Sequence, residues 1–172
     1  LQEALLAGYH AYGTDLSEKM IDYSKRNFDW LVEKTHELQK SNAPTLRLEA
    51  GDATTHLWAA PVDFIASEIY LGHPLSNPPA EIKLKELKSD AKMHLLAVWR
   101  NLYPQIKTGT TLALAIPAWL RPNGSYSTLE IIDEIKNLGY NTTKYRYASD
   151  SDLLYFRENQ IVARQIIVLR KK

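Results

Sequence analysis

Hydrophobic residues recur along the chain in two patterns, one typical of buried strands and the other typical of amphipathic helices. The clearest helical pattern steps by three or four residues through Leu84, Leu87, Ala91, Leu95, Val98 and Leu102. The predicted strands cover residues 9–14, 45–49, 62–67, 110–116, 141–147 and 161–169. The predicted helices cover residues 1–6, 17–39, 84–102 and 129–138.

The order of these elements favours an α/β fold. Strands and helices alternate through most of the chain, which implies a mostly parallel sheet covered by helices. No helical pattern separates the last two predicted strands, so we expect the C-terminal end of the sheet to be antiparallel. A chain of 172 residues is long enough for a sizeable core, and we expect one domain over residues 1–172.

Short polar motifs mark the ends of the predicted helices. Ser17 is a good N-cap for the helix that follows the first strand. The sequence Ser-Thr-Leu-Glu at residues 127–130 fits a capping box and predicts the start of another helix. Gly139 is a natural stop for that helix.

Composition mainly excludes classes of site. The sequence has no cysteine, so disulfides, thiolate zinc sites and a cysteine nucleophile are excluded. Its five histidines form no known metal-binding motif, and no run of about 18 apolar residues predicts a membrane span. The net charge of +1 does not by itself indicate a nucleic-acid binder. We expect a cytoplasmic protein that needs neither a metal nor a membrane.

Carboxylates follow the first two predicted strands. Because open parallel sheets bind ligands at the carboxyl ends of their strands, these residues are candidates for a site. Asp15 ends the first strand. There its carboxylate can accept hydrogen bonds from both hydroxyls of a ribose, or it can assist the cap of the next helix. Asp52 lies in a Gly-Asp-Ala turn after the second strand, where it can bind an exocyclic amine or stabilise the turn. Taken one at a time, both residues leave both alternatives open.

A polar and aromatic turn follows the third predicted strand. Residues 67–75 read Ser-Glu-Ile-Tyr-Leu-Gly-His-Pro-Leu. In this turn Tyr70 can stack on a planar substrate, and Glu68 can accept hydrogen bonds from an amine. His73 can act as a base or simply face solvent. These residue types at one strand end indicate a pocket for a nucleic-acid base.

Taken together, the three strand ends resemble the cofactor and substrate motifs of class I S-adenosylmethionine-dependent methyltransferases. The segment AGYHAYGTDLSEKMIDYSKRNFDWL is similar to the one that follows the glycine-rich loop in the THUMP-associated RNA methylase family. That family includes tRNA guanine-N2 methyltransferases. The ending LLYFRENQIVARQIIVLRKK resembles the family's last hairpin. The resemblance covers essentially the whole chain and implies a Rossmann-like sheet, mostly parallel, with an antiparallel C-terminal hairpin.

The resemblance implies a role for each strand end. S-adenosyl-L-methionine would be the cofactor, with Asp15 on its ribose hydroxyls and Leu16 beside its adenine. Asp52 would bind the adenine amine, and Ala53 would supply a backbone contact. The turn from Ser67 through Glu68 to Tyr70 would be the catalytic motif that holds the substrate.

The sequence departs from the family in two places. The substrate motif of the family is usually Asp-Pro-Pro-Tyr, whereas residues 67–70 read Ser-Glu-Ile-Tyr, so the carboxylate has moved one position. The family's first strand and glycine-rich loop, and any THUMP module, would lie before Leu1. Because the first strand is central in such a sheet, we expect either a homodimer that fills the gap or a preceding segment that supplies the strand.

The leading hypothesis is therefore methyl transfer to an exocyclic amine of a nucleic-acid base, with guanine N2 in tRNA as the first candidate and RNA as the partner. If the protein is an enzyme of another specificity, the alternatives are methylation of DNA adenine or of a small amine. A catalytically degenerate binding subunit is an alternative of another class, favoured by the altered turn. A nicotinamide dinucleotide domain is a further alternative, and the tyrosine-bearing turn and the terminal hairpin argue against it.

Overall fold

A computed structural model of the chain describes residues 1–59, 61–143, 145–149 and 151–172. These residues divide into an N-terminal unit, Leu1–His56, and a C-terminal unit, Leu57–Lys172. Each unit has its own sheet and its own buried cluster of apolar side chains. The assignment of residues 1–172 to one domain stays a prediction.

The N-terminal unit is built around two parallel strands. Its elements are α1 (Gln2–Leu6), β1 (Ala11–Asp15), α2 (Glu18–Lys34), a 3₁₀ helix (His36–Gln39) and β2 (Leu46–Ala50). In the register of β1 with β2, Ala11 lies opposite Leu46 and Asp15 lies opposite Ala50. The predicted helix over 17–39 is thus two helices, because the backbone of Thr35 is extended. The buried residues are Leu5, Ala11, Leu31 and Leu38.

The start of α2 differs from the prediction in one detail. Ser17 occupies the N-cap position, but its side chain makes no capping hydrogen bond. Instead, the Ser17 backbone N–H donates to Oδ1 of Asp15 at 2.8 Å. The carboxylate two residues earlier therefore takes over the side-chain contact at this turn, and the order of β1 and α2 holds Asp15 at the strand end.

The C-terminal unit contains a six-stranded sheet and one long helix. Its elements are β3 (Phe64–Glu68), α3 (Glu81–Leu102), a 3₁₀ helix (Tyr103–Gln105), β4 (Thr111–Leu120), β5 (Tyr126–Thr128), α4 (Ile132–Asn137), β6 (Tyr140–Thr142), β7 (Leu154–Tyr155) and β8 (Val162–Lys171). The strand order is β3-β4-β8-β6, while β5 pairs with β4 and β7 pairs with β8.

The directions of these strands agree with the predicted fold class. β3 runs parallel to β4, and β8 runs antiparallel to both β4 and β6. A Rossmann-like α/β fold with an antiparallel C-terminal end is thereby confirmed. The predicted strand over 141–147 is shorter, since β6 ends at Thr142, and its residue 144 lies outside the described residues.

The predicted capping box at residues 127–130 is wrong. Ser127 belongs to β5, where it lies opposite Trp119 of β4 and is 7% exposed. Helix α4 begins only at Ile132. Pairing with β4 and burial of this segment outweigh the local preference for a cap. The predicted stop is confirmed, because α4 ends just before Gly139, which has a φ of 94°.

The core of the C-terminal unit forms where α3 packs on the sheet. The buried side chains of α3 are Leu84, Ala91, Leu95, Trp99 and Leu102, and all of them except Trp99 belong to the predicted apolar pattern. Tyr140 at the start of β6 is fully buried, and its hydroxyl donates to the Trp99 carbonyl at 3.1 Å. This burial raises the pKa of Tyr140 far above its ordinary value.

No helix of the described residues is both long and apolar enough to cross a bilayer. Helix α3 has 22 residues, which is sufficient length, but it carries charged side chains along most of its turns.

Candidate functional site

The two candidate cofactor carboxylates lie at the same edge of the β1–β2 sheet. β1 and β2 are parallel, and the last residue of β1, Asp15, is in register with the last residue of β2, Ala50. The backbone N–H of Gly51 donates to the carbonyl of Asp15 at 2.9 Å, so the exits of the two strands are tied together. Asp52 is the next residue along the chain. The structure thus brings Asp15 and Asp52 to one edge, as parallel pairing requires.

Asp15 keeps one carboxylate oxygen for an external donor. Oδ1 accepts the Ser17 N–H, whereas Oδ2 has no hydrogen-bond partner within the described part of the chain. The adjacent side chain, Leu16, is 75% exposed and makes an apolar surface beside the carboxylate. A polar acceptor next to an exposed aliphatic side chain suits a ligand with hydroxyls at one end and a flat ring at the other.

Asp52 stabilises its own turn. Its Oδ1 accepts both the backbone N–H of Thr54 at 2.8 Å and the Thr54 hydroxyl at 2.7 Å. Its carbonyl accepts the backbone N–H groups of Thr55 and His56 at 2.9 and 2.7 Å. The turn alternative is therefore realised for this residue, and any amine bound by Asp52 meets a carboxylate that is already fixed in position.

A charged network on β1 and β2 supports this turn. The carboxylate of Glu49 accepts hydrogen bonds from the hydroxyl of Tyr12 and the guanidinium of Arg47, and it lies 3.2 Å from Nε2 of His56. The hydroxyl of Tyr12 and the guanidinium of Arg47 hold the pKa of Glu49 below its usual range.

Sequence reasoning missed this network. The signal was present, because Arg47 and Glu49 are two residues apart and so lie on the same face of β2. Neither residue follows a strand end, and for that reason neither was a candidate for ligand binding. The network instead fixes the imidazole of His56, whose side chain is only 14% exposed.

Gly51 leaves no room for a side chain while the His56 ring keeps its position. A Cβ atom at Gly51 would collide with Nδ1 of His56 and lie 3.1 Å from its Cε1 and Cγ atoms. We predict that Gly51→Ala displaces the turn that carries Asp52 and lowers the free energy of unfolding by about 1–3 kcal/mol, the usual cost of overpacking. Urea unfolding of the variant beside the unaltered protein measures this loss.

A second substitution provides the control for Gly51→Ala. His56→Ala removes the ring that the new methyl group would meet, so the double variant should recover much of the lost stability. His56→Ala alone should have the smaller effect, because the Thr54 contacts still hold Asp52. Equal losses in Gly51→Ala and in the double variant would contradict this steric explanation.

The third candidate motif, Ser67 to Tyr70, is the exit of β3. Ser67 and Glu68 are the last two residues of β3, opposite Leu114 and Ala115 of β4. The Ser67 hydroxyl contacts the Glu68 carbonyl at 3.3 Å, and its side chain is exposed. The turn is anchored because the N–H of Ile69 donates to the Ala115 carbonyl at 3.1 Å.

Tyr70 presents part of its ring to solvent. The residue is 38% exposed, and its ring centroid lies 5.0 Å from that of His94 on α3 and 6.4 Å from that of His73. Contact on two sides restricts the ring, and a restricted ring loses less entropy when a base stacks on it. His73 thus contacts the aromatic ring, and within the described residues no group of three or more side chains could hold a metal ion.

Glu68 has a partner that the sequence does not reveal. Arg164 on β8 donates from Nε to Oε2 of Glu68 at 2.6 Å and from Nη2 to Oε1 at 3.3 Å. The two residues are 96 positions apart in sequence. The carboxylate raises the pKa of Arg164 above its ordinary value. Glu68 is 51% exposed in its side chain, so the oxygens that Arg164 holds still face solvent.

Comparison with solved structures identifies the fold. No family model matches the sequence, and no curated protein matches it. A SAM-dependent methyltransferase from Methanosarcina mazei matches the structure with a TM-score of 0.59 and 11% identity, over 98% of this chain and 85% of that chain. The chain has the fold of class I methyltransferases.

Two further solved structures support the same fold. Magnesium protoporphyrin IX methyltransferase (ChlM) from Synechocystis PCC 6803, with bound SAM, matches with a TM-score of 0.56 and 15% identity, over 99% of this chain and 63% of that chain. TrmN from Thermus thermophilus matches with a TM-score of 0.53 and 17% identity, over 99% of this chain and 40% of that chain. At such identities the likeness concerns the class I methyltransferase fold alone.

Proposed function

We propose that the protein is an S-adenosylmethionine-dependent methyltransferase that acts on an exocyclic amine of a nucleic-acid base, with guanine N2 in tRNA as the first candidate. The observation that carries this proposal is the pair of carboxylates, Asp15 and Asp52, tied to one edge of parallel strands in a class I methyltransferase fold. The resemblance to the THUMP-associated RNA methylase family supports the RNA substrate.

The N-terminal unit would hold the adenosine part of the cofactor. Asp15 accepts hydrogen bonds from the ribose hydroxyls through the oxygen that Ser17 does not use. Leu16 covers the adenine ring. Asp52 accepts a hydrogen bond from the adenine amine, and Ala53 contributes a backbone contact. When bound, S-adenosylmethionine supplies a methyl group that is already activated by a sulfonium, so no covalent enzyme intermediate is required.

The exit turn of β3 would orient the substrate. Tyr70 offers a stacking face to the base, and Glu68 accepts a hydrogen bond from the exocyclic amine, which points the nitrogen lone pair in one direction. Arg164 holds the Glu68 carboxylate through two hydrogen bonds and fixes its plane. Ser67 adds an exposed hydroxyl at the same strand end. Positioning, rather than acid–base chemistry, is the main contribution of these side chains.

We predict that Tyr70→Ala lowers methyl transfer to RNA roughly fivefold to a hundredfold, because stacking on an aromatic ring is worth about 1–3 kcal/mol per base. Affinity for S-adenosylhomocysteine should stay unchanged, since the ring serves the base. Transfer of a radiolabelled methyl group to bulk tRNA, beside calorimetry with S-adenosylhomocysteine, measures both quantities. Tyr145→Ala is the matched control, because Tyr145 is exposed to a similar extent, at 44%.

The same assay separates the alternatives. Methyl transfer to DNA or to small amines, but not to tRNA, would show that the protein is a methyltransferase with a different substrate class. Binding of S-adenosylhomocysteine with no transfer to any acceptor would favour the degenerate binding subunit. Binding of a nicotinamide dinucleotide in place of S-adenosylhomocysteine would overturn the cofactor. The homodimer and the cytoplasmic location stay predictions.

A further inference from the structure

A cleft of about 310 Å³ lies beside the Glu68 carboxylate in the C-terminal unit, and its lining is rich in hydrogen-bond donors. It is lined by Glu68, Tyr155, Arg157, Gln160 and Arg164. Of these residues, only Glu68 belongs to the candidate motifs at the strand ends, and the other four lie on β7, on β8 or between them. The chemistry of the lining indicates what the cleft can bind.

The carboxylate and amide oxygens of this cleft each already accept one hydrogen bond from the protein. Both oxygens of Glu68 accept from Arg164, and Oε1 of Gln160 accepts the backbone N–H of Arg157 at 3.0 Å. Among the described residues, the guanidinium of Arg157 and Nε2 of Gln160 have no hydrogen-bond partner. The Tyr155 hydroxyl and Nη1 of Arg164 are likewise without one. Unsatisfied donors with one net positive charge favour an anionic ligand that is rich in acceptors.

The backbone that carries Arg157 is held rigidly. The N–H of Gln160 donates to the Arg157 carbonyl at 3.1 Å, which closes a turn around Asn159, whose φ is 61°. Asparagine is one of the few residues that tolerate this region. The hydroxyl of Tyr126 on β5 donates to the Gln160 carbonyl at 2.5 Å. Arg157 therefore projects from a fixed turn rather than from a loose loop.

An aromatic side chain completes the lining. Tyr155 is 54% exposed and lies opposite Arg164 in the pairing of β7 with β8. A stacking ring beside two guanidinium groups matches a nucleotide, which carries a flat base and a phosphate a few ångströms apart. A free inorganic anion would use the arginines but not the ring.

From this lining we infer that the cleft binds the phosphate and base of an RNA nucleotide that flanks the methylated one. The inference rests on the proposed function, because Glu68 belongs both to the substrate turn and to the cleft. Arg157 and Arg164 donate to the phosphate oxygens, Gln160 adds a neutral donor, and Tyr155 stacks on the flanking base. Glu68 orients Arg164 without contacting the phosphate.

The first arm of the test measures binding of a fluorescent single-stranded RNA oligonucleotide by the unaltered protein and by its variants at several salt concentrations. Arg157→Gln should weaken binding about twofold to fivefold, as expected for one exposed charge pair. It should also reduce the slope of log affinity against log salt by about 0.7, the value for one phosphate contact on a single strand. Affinity for S-adenosylhomocysteine should not change.

Arg100→Gln is the matched control for this arm. It removes the same charge from an exposed arginine in the last turn of α3, which leads toward the start of β4 and not toward the β3 exit. RNA affinity and salt slope should match those of the unaltered protein. Equal effects of the two substitutions would show a diffuse charge effect and overturn the inference.

The second arm uses inorganic pyrophosphate and does not depend on the RNA substrate. Titration should shift the NMR signals of the Nε–H groups of Arg157 and Arg164, and that of Arg100 should stay in place. Unshifted arginine signals would overturn the anion site. Shifted signals with no methylation of RNA would retain the anion site and contradict the proposed function. If the protein methylates RNA but Arg157→Gln leaves RNA affinity and its salt dependence unchanged, the inference about the cleft is overturned and the proposed function is retained.

Discussion

Trp99→Ala is expected to lower the free energy of unfolding of the C-terminal unit by about 3–5 kcal/mol, the range for removing a buried large aromatic side chain. Trp99 is 0% exposed and lies within the cluster formed by α3 and the sheet. Its loss leaves a cavity between α3 and the strands, which interior packing fills only in part. A loss of this size is a large fraction of the stability of an ordinary domain.

Urea unfolding followed by far-UV circular dichroism measures the effect of Trp99→Ala without relying on tryptophan fluorescence. Trp30→Ala is the matched control, because Trp30 is 56% exposed on α2 and its removal should change the stability by less than about 1 kcal/mol.

Trp99→Phe should fall between the unaltered protein and Trp99→Ala. It keeps a ring, and it removes an indole N–H that has no hydrogen-bond partner within the described residues. A loss in Trp99→Ala no larger than in Trp30→Ala would show that α3 does not pack on the sheet through this side chain.

The fold could be predicted because its strongest signals are long and periodic. The six apolar positions from Leu84 to Leu102 fit the spacing of a helix that buries one face, and α3 includes all six. Signals a few residues long were less decisive. The sequence around Ser127 has both a capping motif and strand character, and pairing with β4 settles which one prevails.

β4 shows the same limit at a strand end. The apolar run predicts a strand to residue 116, yet β4 continues through Pro117 to Leu120. Proline lacks an N–H and so breaks a regular ladder, which makes a strand difficult to extend past it from the sequence. Burial of the residues from Ile116 to Trp119 against the rest of the core supports the longer strand. Such tertiary support cannot be seen in a local pattern.

The candidate site was predictable to the extent that it depends on the topology of parallel strands. Asp15 and Asp52 could be placed at one edge because each follows a strand, and their register confirms this placement. The partners of these residues could not be predicted in the same way. Arg164 contacts Glu68 only because β8 runs antiparallel to β4 and β3 runs parallel to it. That contact depends on the register of three strands.

The fold by itself leaves the chemistry open, since one fold supports many functions. The proposal therefore depends on individual side chains, and Asp15 is the one with the most direct test. Its Oδ2 faces solvent without a partner in the described part of the chain, at the edge that Asp52 shares. A ribose with two adjacent hydroxyls would satisfy this carboxylate, and hydrogen bonds to a charged group are worth more than those between neutral groups.

Asp15→Ala in the natural protein should accordingly weaken S-adenosylhomocysteine binding roughly tenfold to a hundredfold, since hydrogen bonds to a charged group contribute about 1.5–3 kcal/mol. Isothermal titration calorimetry gives the affinity directly. The substitution also removes the acceptor of the Ser17 N–H, so a change in the start of α2 must be distinguished from the loss of a ligand contact.

Asp15→Asn makes that distinction. An asparagine oxygen still accepts the Ser17 N–H, so the turn is kept, whereas the negative charge toward the ribose is lost. Affinity in Asp15→Asn should therefore be reduced nearly as much as in Asp15→Ala, while the thermal unfolding midpoint stays close to that of the unaltered protein. Asp29→Ala, at another exposed aspartate of the N-terminal unit, should leave affinity unchanged. Full affinity in Asp15→Asn, with reduced affinity in Asp15→Ala, would assign Asp15 to the turn and remove it from the cofactor site.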